Sequence, residues 1–474
     1  MFDKRWVRRL VYTLTAALSI IGVASVWWNR NATQHAGEEN LEAILAELDR
    51  TDPRWHWDDL VADRMPVADD RNGALLLPKF REALDVQSNE FQKRIFMLQR
   101  ADASFLFETV PLNRRLPKTD DALVESTLED TDAAGEIALK FKDRPTGIRQ
   151  LDLIPNYLSI LNQEFVPAED AANWLFLDAE RESREGRTSE ALIRCRAELN
   201  VGRSVLTEPT TMGQFIRFVI TNKAIQRTER TLALGSAQAG LVELQAAFQE
   251  ESLVDRFRIA MRGERAGKDL IFQRIASGQC RLTDVKGDDK PELEVVHSFS
   301  EWAYKKWLNS DRAHFLQSLT RAIDITYLPD HQQRRAMAEL RLMPEESEFV
   351  LSRAMLSLTK RHHESHLQFR ARLHCASVGL AVERFRLAKG RWPNTLDEIS
   401  QDILTVVPLD PYDGKPLRYV RRPDGVTVYS IGPNEQDDGG LIIDRVRKID
   451  EIKDIGFRLF DVDQRGLPSL PAEK

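Results

Sequence analysis

The chain has 474 residues, 42% hydrophobic and 30% charged, a composition that folds and is too long for one core, so two or three folded units are expected. A formal net charge of -7 argues against a generic nucleic-acid binder, whose domain would carry a basic footprint. Cys195, Cys280 and Cys375 are too few and too far apart for a disulfide framework or a zinc knuckle. They read as buried small hydrophobes, although an oxidising compartment would permit one disulfide of open pairing.

Residues 1–9 read as a cytoplasmic tail and 10–28 as a transmembrane helix. Leu10 to Trp28 is uncharged and, as a helix, reaches about 28 Å, close to a bilayer core. Lys4, Arg5, Arg8 and Arg9 precede it, whereas Arg30 alone follows before Glu38 and Glu39. The positive-inside rule then puts the N-terminus in the cytoplasm and the body outside, periplasmic in a bacterium. Trp27 and Trp28 fit an aromatic belt and favour an anchor; cleavage after Val23-Ala24-Ser25, as in a signal peptide, is the competing reading.

Residues 29–75 form a linker with one short helix carrying Leu41, Ile44, Leu45 and Leu48, stopped by Pro53. Trp55, Trp57 and Met65, amid Asp58, Asp59 and Asp63, read as packing this linker onto the next domain in preference to a ligand surface. Helical periods dominate 76–355, giving a helical-hairpin body. Its clearest hairpin runs from Ala171 to Leu199, with Trp174, Leu175 and Leu177 on one arm, a turn at Glu185-Gly186-Arg187, and Ala191, Leu192, Cys195 and Leu199 returning. Residues 185–192 resemble the turn of a tetratricopeptide hairpin, but no second copy at that family's period follows. Gly263 to Asp269 has three residues between its glycines, no Ser or Thr after Lys268 and no preceding strand, so nucleotide binding is not expected there. Lys286 to Pro291 reads as an exposed loop dividing two helical subdomains.

Residues 356–474 change character. A helix from about Ser365 ends at Lys389-Gly390, Pro393 prevents its resumption, and Thr395-Leu396-Asp397-Glu398 reads as a capping box opening a second short helix. Two β-rich runs, Leu417 to Arg421 and Val426 to Ile431, flank Arg422-Pro423-Asp424-Gly425, so an antiparallel β-hairpin is expected. The fold class is therefore mainly α: transmembrane helix, helical-hairpin body and a small C-terminal α+β module.

That module resembles the globular head of the major pseudopilin of type II secretion systems. The matching order is Phe385 to Pro393, then Pro408 to Tyr419, then Val428 to Asn434, with Asp454-Ile455-Gly456 similar to the family's closing residues. The resemblance implies calcium in the acidic loop after the hairpin, with Asn434, Asp437 and Asp438 as side-chain ligands and Ser430 and the Ile431 carbonyl as weaker ones. The sequence departs from the family in two ways. The head's helix begins behind Lys360 to Glu364 instead of continuing an N-terminal apolar helix, so assembly into a pilus is not implied. A long insert, Leu441 to Lys453, also precedes Asp454.

His362, His363, Glu364 and His366 form the single histidine cluster, and His362 and His366 stand at i and i+4, a workable spacing for two zinc ligands. With only Ser365 between Glu364 and His366, the metalloprotease pattern fails. No Gly-x-Ser-x-Gly elbow is present. The expectation is a membrane-anchored, extracytoplasmic structural or interaction protein associated with a secretion or surface assembly. Its partners would be the membrane and other envelope proteins, with calcium as the one cofactor; the alternative is a metal-dependent hydrolase using His362 and His366.

Overall fold

The computed structural model describes residues 36–84, 88–99, 110–149, 151, 165–204, 208–282, 304–344, 348–442 and 453–470. They are mainly helical, with a small three-stranded antiparallel sheet near the C-terminus. The single-pass membrane reading is corrected: among the described residues no helix is long and apolar enough to cross a membrane, and the segment 10–28 lies outside them. The physical reason is charge. The 24-residue helix Thr211–Leu234 places Arg217, Lys223, Arg227, Glu229 and Arg230 along its length. The loop expected at Lys286 to Pro291 also lies outside the described residues.

The chain divides into two compact units: one of Met1–Leu60, Arg265–Ala322 and Leu340–Thr359, the other of Val61–Glu264, Ile323–Glu339 and Lys360–Lys474. In the first unit Trp55 and Trp57 are buried, and the Trp55 indole donates to Asp49 at 2.8 Å. Asp311, fully buried, accepts from the Tyr304 hydroxyl at 2.6 Å and from the backbone N–H groups of Leu351 and Ser352 at 3.0 and 3.1 Å. A buried carboxylate is tolerated there because each oxygen has a donor.

The second unit contains the expected hairpin, Phe165–Arg184 and Thr188–Arg203. Gly186 turns it with φ +77°, a left-handed conformation in which a side chain is strained. Helix Thr211–Leu234 follows, capped by the Thr210 hydroxyl, which accepts from Gly213 N–H at 3.0 Å. Residues Gly263 to Asp269 lie inside helix Arg256–Ala276. A Cβ on Gly263 would fall 1.4 Å from the Pro209 carbonyl oxygen, so this glycine serves close backbone approach.

Four helices of this unit are tied through one carboxylate. Glu251, near the end of helix Leu241–Ser252, accepts from Arg217 Nε at 2.6 Å, Arg256 Nε at 2.8 Å and Arg203 Nε at 3.2 Å. All four side chains are buried.

The helix of the C-terminal module is Thr359–Lys389, six residues longer at its start than the pattern from Ser365 predicts, so His362 to His366 lie within it. It ends at Gly390, φ +70°, whose N–H bonds the Arg386 carbonyl at 2.8 Å. The capping box does not form. Thr395 makes no side-chain cap, and Glu398 instead accepts from the Asn394 side chain and backbone at 2.6 and 3.2 Å.

Strands β1 (Arg418–Arg422), β2 (Gly425–Ser430) and β3 (Ile455–Phe460) run in the order β1-β2-β3, all antiparallel, with Arg418 opposite Tyr429 and Ser430 opposite Ile455. The hairpin is as the sequence pattern reads, and β3 extends it to a meander. Every residue of β2 is buried. The long helix packs on the sheet at Gly379, where a Cβ would sit 2.4 Å from the Phe457 ring. One hydrophobic cluster joins Phe369 to Phe385 of this helix, the sheet residues Val426, Val428, Phe457 and Leu459, and Leu192 to Phe248 of the preceding helices. The module therefore shares a core with part of the helical body.

Candidate functional site

The acidic loop and the histidine cluster, far apart in sequence, meet at one cleft of about 580 Å³ in the second unit. Helix Asp330–Glu339 supplies His331, Arg334, Arg335, Met337 and Ala338; the first turns of Thr359–Lys389 supply Lys360, His363 and Glu364. Tyr412 and Glu435 complete the lining.

Arg334 joins the two clusters. Its Nε donates to Glu364 at 3.1 Å, and its Nη1 donates to the Glu435 carboxylate. The second Glu364 oxygen accepts from the Tyr412 hydroxyl at 2.9 Å, so both of that carboxylate's oxygens are engaged. Burial, followed by the Glu364 charge, holds the Tyr412 phenol well above its ordinary range, and it stays a neutral donor. Glu435 is the one non-glycine residue with positive φ among the described residues, at +55°. A left-handed glutamate is uncommon, and here the backbone twist aims the carboxylate at Arg334.

The histidines do not play the part their spacing suggests. His366 is buried against Phe257, with ring centroids 6.4 Å apart, and its Nε2 lies 3.7 Å from Asp255. Burial, and then nearby arginines led by Arg370, pushes it well below the usual histidine range. His363, which was not singled out as a ligand, is the one that reaches the cleft. Its Nε2 lies 3.1 Å from Gln333 Oε1, its ring meets Phe257 edge-on at 5.1 Å, and burial pushes it down to about 4. His362 is half-buried on the same helix. Among the described residues no group of three or more His, Cys, Asp or Glu side chains is placed to hold a metal ion.

The acidic loop is closed by its own donors. Asp437 accepts from Arg418 Nε at 3.0 Å, from the Tyr429 hydroxyl at 3.1 Å and from Gly439 N–H at 3.0 Å. Asn434 donates its amide N–H to Asp438 at 2.8 Å and accepts the Gln436 N–H on its Oδ1 at 3.1 Å. Asp454, across the insert, accepts from the backbone N–H groups of Asp438, Gly440 and Leu441 at 3.3, 2.6 and 3.2 Å. Arg418 also donates to Asp410 at 3.2 Å and Asp413 at 2.6 Å. Ser430 gives its hydroxyl proton to Asp410 at 2.7 Å, and Ile431 its backbone N–H at 2.9 Å. In this arrangement the Arg418 guanidinium, held by Asp410, Asp413 and Asp437, occupies the one expected calcium ligand among them, Asp437.

Sequence reasoning missed Arg334, one of two adjacent arginines on a polar helix with nothing local to distinguish it. Tyr412 lies inside the segment Pro408 to Tyr419, but its hydroxyl's partner is 48 positions away. No family model, curated protein or solved structure matches this chain.

Proposed function

We propose that this chain is an interaction protein whose C-terminal α+β module, pseudopilin-head-like in its motif order, engages a protein partner through the cleft around Arg334. The observation that carries this reading is the bridge from Arg334 to Glu364 and Glu435, which ties the start of the long helix to the acidic loop at the rim of a concave polar site. Such a site is pre-shaped, combines fixed charge with a few buried donors, and has the size of a recognition pocket. The hydrolase alternative needs His366 in an open position; a ring buried against Phe257 gives it no support.

The test is a photo-crosslinking amino acid placed at exposed Ala338 of the cleft lining in the full-length chain in its native cells, with the same amino acid at exposed Val462 as control. The proposal requires a discrete adduct from position 338 that disappears when Arg334→Ala and Glu435→Ala are added. Equal adducts from both positions, or an adduct indifferent to Arg334, would reject the cleft as the contact.

A further inference from the structure

The charges lining the cleft do not balance, and the imbalance defines a ligand. Three cationic side chains, Arg334, Arg335 and Lys360, face two carboxylates, Glu364 and Glu435, and His331 and His363 add imidazole rings to the lining. Both carboxylates are bonded to Arg334. Among the described residues Arg335 has one ion pair, to Glu339 four residues on at 3.0 Å, with side chains 86% and 68% exposed. A pair so solvated contributes little and is readily exchanged for another carboxylate. Lys360 donates one proton to the Ala338 carbonyl at 2.8 Å, which satisfies the end of helix Asp330–Glu339 and leaves two ammonium protons. A guanidinium and an ammonium thus line the same cleft with donor capacity to spare.

Resting on the interaction reading above, we infer that the cleft takes an acidic peptide segment of the partner, whose carboxylates bond to Arg335 and Lys360. A planar guanidinium binds a carboxylate through two parallel N–H donors, and the lysine serves as a second point charge. The volume of about 580 Å³ lies in the range of sites that hold a drug-sized ligand, and so suits a few residues of chain better than a bare inorganic anion. Glu364 and Glu435, held by Arg334, repel acidic groups that approach from their side, so the carboxylates are steered toward Arg335 and Lys360.

Fluorescence anisotropy of a labelled tetraglutamate peptide against the full-length protein tests this, with tetralysine and inorganic phosphate as comparisons. Arg335→Glu with Lys360→Glu alters two exposed side chains, and unchanged circular dichroism and melting confirm that the fold is kept. The expected result is saturable tetraglutamate binding that falls at least about tenfold in the double variant and weakens as salt is raised, with no binding of tetralysine. Equal binding by the two proteins, or no binding at all, would overturn the inference. Phosphate binding with the same loss and no peptide binding would also overturn it, in favour of a small-anion site. If the crosslink from position 338 persists while tetraglutamate fails, only the ligand class is lost and the contact site stands.

Discussion

Replacing Glu251 with glutamine keeps the shape of the side chain and removes the charge on which three buried arginines depend. In the native protein Arg203, Arg217 and Arg256 all donate to this carboxylate, which the arginines hold far below its ordinary pKa despite its burial. The remaining carboxylate, Glu250, touches only Arg203, at 3.3 Å, and is 69% exposed. The variant therefore leaves at least two guanidiniums buried without a counter-charge and turns an amide N–H toward them. Removing one partner of a buried ionic network costs about 3–5 kcal/mol. Against a total of about 5–15 kcal/mol, this is a large fraction of the stability. Urea unfolding followed by circular dichroism and tryptophan fluorescence should show a midpoint lower by about 1 M or more. Removing a stranded cation as well, in Glu251→Gln with Arg256→Met, should recover part of the loss, giving a double variant more stable than the sum of the singles. A cost below about 1 kcal/mol for Glu251→Gln, or simple additivity in the double variant, would refute the network as the tie among these helices.

Three other outcomes follow from the geometry. Gly379→Ala places a methyl group 2.4 Å from the Phe457 ring and should cost about 1–3 kcal/mol by overpacking the helix on the sheet; an unchanged melting temperature would show that the helix and sheet part easily. His363 is neutral in the fold, with its pKa pushed from 6.5 to about 4, so its contribution is fully present above about pH 6.5 and is lost as pH falls toward 4. Burial raises Asp170 to about 6 and Glu198 to about 7, which acts in the opposite sense, so the readout is the difference between wild type and His363→Phe. The wild type should lose about 2 kcal/mol more than the variant between pH 7.5 and pH 5, and parallel profiles would count against a neutral buried His363. Finally, Arg418 holds Asp410, Asp413 and Asp437, so the wild-type melting temperature should not respond to millimolar calcium, whereas Arg418→Ala should acquire a response. Calcium stabilisation of the wild type would show that the ion displaces the guanidinium.

Local chemistry was legible and distant partnership was not. The turn at Gly186, the helix end at Gly390 and the β1–β2 hairpin each follow from residues adjacent in sequence, where turn chemistry and periodicity act. The capping box failed because Glu398 found a nearer donor set on Asn394, a competition that the four-residue pattern does not reveal. The histidine cluster is legible, but both His363 and His366 pack against Phe257, about a hundred residues earlier, and only the fold puts His363 in the cleft lining. Arg334 and Glu435 are ordinary surface charges in sequence, and only the fold brings them together across 101 positions. The single-pass membrane reading rested on composition at 10–28, a segment whose apolar character no described helix shares.

The most direct measurement is amide hydrogen exchange of the full-length protein with and without saturating tetraglutamate. If the cleft is the recognition site, protection should rise in Asp330–Glu339, in the first turns of Thr359–Lys389 and in residues 432–439, and Arg335→Glu with Lys360→Glu should abolish the change. Protection confined to other segments, or equal in the variant, would contradict the account.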